Sequence, residues 1–469
     1  DPMSSSSTQQ LSYQEVAYQA ADAVRSNGHS ARPVSSGENA ASAEGLHIVP
    51  ARVGDHVLIF QLLQHIFHAP SAAEFQAAQD APLYEPSDRL IARAGQRMLG
   101  HVHTVNNLMQ FDSVQIPFAE IRDLGVLPEF RGQGVGTRLL QAVEERIVGE
   151  GGQLAVLRTG EPKFFASRGW VVCGRHCYST ATARNTLAQL ADVETEEQSP
   201  LAPSQPAIKI CLWRQVEQDN IAGLHQVNAE QGRGCVIRNH AYWRWLVSRH
   251  GYDRIYVAVE EHSSSGPGDR GRKIVGYAAL RGARILELFA AADHPLAARQ
   301  LLARACSDAI ERGEPTVRLD APPFDPLHRV MQRAGGRFVL SEMEHGNVLM
   351  AKLFDPIHLL QQMRGDIFAR ARKAGLSLPL ELGLLVEGEK FQLSLTRRSA
   401  KIVEGKLGRS YLTCGRGEFS RLLLGDFDVA KAEAAENIGA STRVAIEVAR
   451  ALLPYRPLWF PPLDHLPAE

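Results

Sequence analysis

In "VLPEFRGQGVGTRLL", residues 126–140, Gly132, Gly134 and Gly136 stand on alternate positions directly behind Arg131, and apolar residues at helical spacing follow at once. A helix amino terminus offers free N–H groups and about half a unit of positive charge. Alternating glycines let successive N–H groups converge on an anion with no Cβ atoms in the way. The stretch therefore reads as a phosphate cradle. It is not a Walker loop, because no Lys-Ser/Thr follows the last glycine, and it is not the dinucleotide fingerprint, whose last two glycines are three apart. A second cluster, Cys173, His176 and Cys177, lacks a fourth ligand at a matching spacing, so no metal is expected and the thiols read as small packed hydrophobes.

The elements around the loop are those a cradle needs. "RLIARAGQRMLGHVHTV" reads as strand, turn, strand, and "FAEIRDLGVL" as the strand feeding the glycines. "GTRLLQAVEERIVGEGG" is a helix with Leu139, Leu140, Val143 and Ile147 inward, ending at Gly149. "QLAVLRT" is a strand, "EPKFFASRG" a short helix and "WVVCGRHCYS" a strand, which gives an α/β phosphate-binding order. Residues 1–45 are Ser-, Ala- and Gln-rich and read as a mobile arm, and "EEQSPLAPSQPA" (196–207) reads as a linker. "EEHSSSGPGDRGRK" (260–273) lies between two strand-like runs and reads as a long hairpin loop.

An internal repeat begins at "DHPLAARQLLARACSDAIERGE". Setting Leu301–Leu302 on Leu139–Leu140 puts Asp293 where Arg131 stands, Leu296 on Gly134 and Ala298 on Gly136. Asp293 would repel a phosphate, Leu296 would fill its space and Pro295 has no N–H, so one anion site per chain is expected. From about Lys352, strands alternate around Gly388, and the tail "PYRPLWFPPLDHLPAE" holds five prolines and cannot be regular helix or central strand. The 469 residues carry a formal charge of -1, with 44% hydrophobic and 22% charged residues, which removes the footprint of a general nucleic-acid binder. No apolar run is long enough for a membrane span, "DPMSSSSTQQ" lacks a secretory pattern, and the scattered cysteines fit a reducing, cytoplasmic setting.

"LGVLPEFRGQGVGTRLL" resembles motif A of the GCN5-related N-acetyltransferases, the GNAT family, over about residues 46–185, with Val126 and Pro128 correctly placed before Arg131, Gly134 and Gly136. The order of the whole chain resembles the Eis-type three-domain acetyltransferases. That resemblance implies an α/β fold of tandem GNAT-like domains with a splayed mixed sheet: an active domain over 46–195 and a degenerate one over 208–352. A sterol-carrier-like α+β domain would follow over 353–469. It further implies that N–H groups from Gly132 through Gln133, Gly134, Val135 and Gly136 to Thr137 hold the pyrophosphate of acetyl-CoA, the co-substrate. Leu124, Gly125 and Val126 would pair with its pantetheine arm. Gly125 suits a bulge that splays the sheet.

Acetyl transfer to an amine needs a neutral nitrogen, although an alkylammonium has a pKa of about 10.4. Glu120 matches the base glutamate of the histone-acetyltransferase members of the family. The competing reading is a strand carboxylate paired with Arg122 at the solvent side. The family usually places a proton-donating tyrosine where "FFASRGW" has Phe165, while Glu161 still fits the Eis-type pattern. The thiolate would leave unaided, or Tyr178 or His176 would substitute, or the protein would bind coenzyme without rapid turnover. Relatives bring a terminal carboxylate into the site, and here the last residue is Glu469. Tyr242, Trp243 and Trp245 resemble an aromatic segment of these proteins and also fit helix core packing. The implied activity is N-acetylation of a primary amine on a small molecule or a protein lysine. The resemblance also implies a homo-oligomer. The alternative is an acyl-CoA sensor or lipid-binding protein.

Overall fold

The computed structural model describes residues 45–197, 207–230, 232–260 and 273–465. The amino-terminal arm except its last residue, most of the 196–207 linker, residues 261–272 of the long loop, and Glu469 lie outside the described residues.

The chain opens with β1 (Leu46–Pro50), α1 (His56–Phe67), α2 (Ala72–Gln79), β2 (Arg89–Ala94), β3 (Arg97–Phe111) and β4 (Val114–Val126). The glycine loop leads to α3 (Val135–Gly149), β5 (Leu154–Thr159), α4 (Pro162–Ala166) and β6 (Val171–Val172). Next come β7 (His176–Thr182), α5 (Ala183–Glu197), β8 (Ile208–Leu212), α6 (Gln218–Ala229), β9 (Arg233–Val236) and α7 (His240–Ser248). The repeat comprises β10 (Arg254–Glu260), β11 (Lys273–Arg281), β12 (Arg284–Ala290), α8 (Pro295–Glu311), β13 (Thr316–Asp320), α9 (Leu327–Arg333) and β14 (Arg337–Ser341). β15 (Met343–Glu344) and β16 (Asn347–Leu353) lead to α10 (Pro356–Gln362) and α11 (Arg364–Lys373). The last unit adds β17 (Leu380–Val386), β18 (Glu389–Leu395), β19 (Ala400–Glu404), β20 (Tyr411–Cys414), α12 (Arg416–Leu423), α13 (Val429–Ala434), β21 (Gly439–Ala440) and α14 (Arg443–Leu452).

These elements make a mixed α/β protein with three sheets. The first runs β1-β2-β3-β4-β5-β16-β15, with β9 added on β3 and β6 on β16, and the second runs β14-β7-β13-β12-β11-β10-β8. The units divided at 195 and 208 in the sequence therefore trade strands. β7 leaves the first unit to pair with β13 and β14, and β16 returns to pair with β5 from Val348↔Thr159 to Leu353↔Leu154. The chain leaves the first sheet at Gly174, whose φ of +104° suits glycine and where a Cβ would stand 2.4 Å from Leu349 of β16. Alternation tells which face of a strand is buried, not which neighbour it pairs with, so this exchange is invisible to a linear repeat.

Leu139, Leu140, Val143 and Ile147 of α3 are all buried against the first sheet. The opposite face of that sheet, with Met109, Phe111, Ile116, Phe118, Leu154 and Val156, shares one continuous core with Leu359, Leu384, Phe391, Phe419 and Leu452 of the last unit. As far as His465, where the described residues end, the proline-rich tail is irregular apart from one turn at Pro462–Asp464. It crosses the units, its Trp459 N–H donating to Arg233 O at 3.1 Å. Gly234 of β9 makes room for that crossing, because a Cβ there would stand 2.5 Å from Trp459 O.

β4 and β5 pair in parallel only from Phe118↔Leu154 to Ile121↔Leu157, and beyond that they part. β4 pairs with β3 as His103↔Arg122 and His101↔Gly125, so one extra residue of β4 bulges between them. The bulge centres on Asp123, at φ +54°, and not on Gly125 as expected. Gly125 answers a different demand: a Cβ there would stand 2.8 Å from the Phe67 ring of α1. Buried His101 holds the bulge by donating from Nδ1 to Asp123 O at 3.1 Å and accepting at Nε2 from Arg89, 3.2 Å away. Arginine only donates, so this pair of bonds requires the neutral ring. Burial first, and then Arg89, push the His101 pKa down to about 3, which keeps it so.

Candidate active site

A cleft of about 1230 Å³ opens where β4 and β5 part. At one end lies the glycine loop. Gly132 has φ +76°, and Gly134, the N-cap of α3, has φ +80°. A Cβ at either would meet nothing within 4 Å. Left-handed backbone, not crowding, demands glycine there, and the main chain is bare toward open space. Gly136 differs: its backbone is helical, and a Cβ would stand 3.6 Å from Phe164 Cζ and Val126 Cγ2, an ordinary contact. Arg131 Nε donates to Val126 O at 3.1 Å and ties the loop to the end of β4. Arg168, which the sequence reading passed over, stacks 4.0 Å over Phe164 and donates to Thr137 Oγ1 at 2.6 Å, adding a cation at the helix entrance.

At the other end, Glu120 is buried, with Arg122 at 2.5 Å and Arg158 at 3.2 Å. Burial alone would raise its pKa, but Arg122, His465 and Arg158 outweigh burial and hold it well below the usual carboxylate range. So tightly held a carboxylate is ionised but a feeble proton acceptor. The Arg122 pairing is one of the two readings of this residue, although inside the cleft instead of at the solvent side. His465, also overlooked, comes from the proline-rich tail. Its ring is buried, with Nδ1 3.5 Å from Glu120 Oε1, and neither ring nitrogen closes a hydrogen bond. Burial first, then Arg158, lower its pKa against the opposing pull of Glu120, so it is neutral at pH 7. The preceding residue, buried Asp464, anchors it through Arg238 Nε at 2.9 Å and the Tyr242 hydroxyl at 3.1 Å.

The cleft thus gathers Glu120, Leu124, Gly125, Val126, Arg131, Gly132, Gly134, Val135, Gly136, Thr137 and Glu161 along its wall. Gln133 does not line it; its side chain turns back to donate to Glu129 O at 2.9 Å. Tyr178 is also elsewhere. The exchange of β7 carries it into the second sheet opposite Asp320, where its ring lies 3.7 Å beneath Arg318. It cannot stand in for the missing phenol. His176 pairs with Glu344 at 3.0 Å and lines not the cleft but an adjoining hollow of about 240 Å³, which shares Arg158 and His465 with it. Phe165 does line the cleft, buried edge-on against Trp170 at 6.0 Å between ring centroids. The aromatic trio divides. Trp243 is core, Tyr242 anchors Asp464, and Trp245 lines the cleft while its Nε1 donates to Ala77 O of α2 at 2.7 Å.

In the second sheet, β12 and β13 pair only at Arg284↔Arg318 and Ile285↔Leu319, so the splay is repeated. The cradle is not. Pro295 opens α8, Asp293 is exposed with His294 Nδ1 2.8 Å away, and no glycine turns the chain. Among the described residues no group of three or more His, Cys, Asp or Glu could hold a metal ion, and no helix is long and apolar enough to cross a membrane.

No curated protein matches the chain. A solved GCN5-related N-acetyltransferase from Anabaena variabilis superposes with a TM-score of 0.66 at 14% identity, over 88% of this chain and 99% of that one. One from Kribbella flavida gives 0.65 at 16%, over 88% and 97%. Eis1 from Mycobacterium abscessus gives 0.61 at 16%, over 87% and 97%. At these identities the likeness is one of fold. Residues 47–173 match the sequence model of the acetyltransferase (GNAT) domain, and the chain carries that domain around the cleft just described.

Proposed function

We propose that this cleft binds acetyl-CoA at the glycine loop and passes the acetyl group to a primary amine entering from the Glu120 end. The observation that carries the reading is a conjunction. An amide-bare helix entrance at Gly132 and Gly134 and the unpaired edge of β4, residues 122–126, line one cavity. Phosphates suit the former and an extended amide-bearing arm the latter. Acetyl-CoA supplies the activated acyl group, and the protein supplies the rest. Arg131 and Arg168 add positive charge beside the loop. Neutral His465 takes the ammonium proton, and Glu120 orients its ring. With Phe165 at the usual tyrosine position, the thiolate leaves at its own pKa of about 8.5. The last unit acts as a clamp: its apolar face is already filled by the back of the first sheet.

Release of free thiol from acetyl-CoA, measured across a panel of primary amines, tests this. His465→Gln should lower kcat and remove the acidic limb of its pH profile, which should lie below the ordinary imidazole range, while leaving acetyl-CoA affinity unchanged. Tight coenzyme binding with no thiol release for any amine would instead support the sensor, the reading that buried Phe165 favours.

A further inference from the structure

The acceptor end of the cleft has an unusual charge balance for a site that receives a cation. Arg89, Arg122, Arg158 and Arg249 line it, against Glu74, Glu120 and Asp123. Arg89 stands 3.9 Å from Asp123, while Arg122 and Arg158 share the single carboxylate of Glu120. Arg249, just past the end of α7, is half-buried and makes no ion pair with any described carboxylate. Its guanidinium stacks 4.7 Å over Trp245 and donates to Leu463 O of the tail, and its buried Nε has no hydrogen-bond partner. Burial lowers the Arg249 pKa against the opposing pull of Tyr242 and Asp464, and Arg122 adds to the lowering. A half-buried guanidinium with no carboxylate at ion-pair distance is costly.

We infer that the acceptor amine carries a carboxylate, which Arg249 and Arg122 bind, so that the preferred substrates are amino-acid-like amines and not polycations. The inference rests on the transferase reading above. With its Cζ over the Trp245 ring and Nη2 given to Leu463 O, Arg249 keeps Nη1 for a charge-assisted bond to a carboxylate. The carboxylate would neutralise the surplus charge, and the amine would lie toward His465 and the β4 edge. A polycation entering the same end would face that surplus instead.

The test compares matched pairs, phenylalanine against phenethylamine and lysine against cadaverine, with spermine as a polycation, by thiol release in wild type, Arg249→Met and Arg249→Lys. The amine's own basicity differs within a pair, and the variants isolate the guanidinium from it. Wild type should favour the carboxylate-bearing member by at least roughly tenfold in kcat/KM, a modest yield for one charge-assisted contact. Arg249→Met should raise KM for that member about tenfold or more, Arg249→Lys less, with KM for the carboxylate-free member and acetyl-CoA affinity by calorimetry unchanged. A merely structural tie to the tail would move both members equally, and that result overturns the inference. So does a wild-type preference for phenethylamine, cadaverine or spermine. No release from any amine while coenzyme still binds overturns the transferase reading itself, which the panel separates from the former outcomes.

Discussion

The cradle can be tested against a control within the same loop, because its glycines are glycine for different reasons. At Gly134 the left-handed backbone, φ +80°, makes any side chain strained, by roughly 1–2 kcal/mol. At Gly136 the backbone is helical, and an added methyl would rest 3.6 Å from Phe164 and Val126. Gly136→Ala should therefore leave stability unchanged or raise it, by up to about 0.5–1 kcal/mol from helix propensity. That methyl packs on Phe164 and Val126, whereas a side chain at Gly134 would meet nothing within 4 Å and would stand in the open space over the loop. A hydrogen bond to a charged group is worth about 1.5–3 kcal/mol, so losing one should weaken acetyl-CoA binding roughly 10- to 150-fold. Calorimetric affinity and urea unfolding, run on Gly136→Ala and Gly134→Ala side by side, provide the assay. Gly134→Ala should lose both affinity and stability, and Gly136→Ala neither. Unchanged affinity in Gly134→Ala would show that the anion does not sit over this loop, and the coenzyme assignment would go with it.

Phe165→Tyr restores the phenol usual at that place; kcat should rise, by no more than the roughly 10²–10⁴-fold a general acid contributes, and an unchanged rate in stopped-flow turnover would show that thiolate departure does not limit. Glu120→Gln leaves Arg122 and Arg158, each about a third exposed, sharing no carboxylate; unfolding should become easier by about 3 kcal/mol, the low end for breaking a buried pair. Because the folded Glu120 pKa is depressed, its contribution is complete above the unfolded value of about 4.3 and disappears as pH falls through the folded one. The gap between wild type and variant should thus be flat from pH 6 to 8 and close below about pH 4; a gap that widens in acid refutes the assignment. A fragment of residues 46–195 lacks β16 and carries β7 with no partner, so it should show no cooperative thermal transition by near-ultraviolet circular dichroism.

What was legible in the sequence was whatever is local. The alternating glycines mark a helix entrance bare of side chains, and Leu139, Leu140, Val143 and Ile147 mark the buried stripe of α3 by spacing alone. The exchange of β7 and β16 depends on pairing partners more than 130 residues apart, which no pattern in either strand encodes. The bulge falls at Asp123 because Arg89 and His101 hold it from the adjacent strands, and two polar residues in "RLIARA" and "GHVHTV" give no hint that they meet. His465 stands alone in a proline-rich stretch with no periodicity to assign it a face. Asp464, caught by Arg238 and Tyr242, and Leu463 O, caught by Arg249, place it from the second unit.

That dependence explains why a second unit without a cradle persists in the architecture. Its sheet keeps the splay between β12 and β13, although α8 opens at Pro295 with no glycine loop before it. What it supplies is a wall. Trp245 and Arg249 close the acceptor end of the first cleft, and Arg238 fixes Asp464 so that His465 faces Glu120. The last unit holds the reverse side of the first sheet and releases the tail toward the same place. A glycine restored at position 296 alone would not recreate a coenzyme site, since Asp293 and Pro295 would still present charge and a missing N–H. The cleft of the first unit is thus walled by residues of all three, and side chains that its own fold does not contain stand at the end where the proposed acceptor would enter.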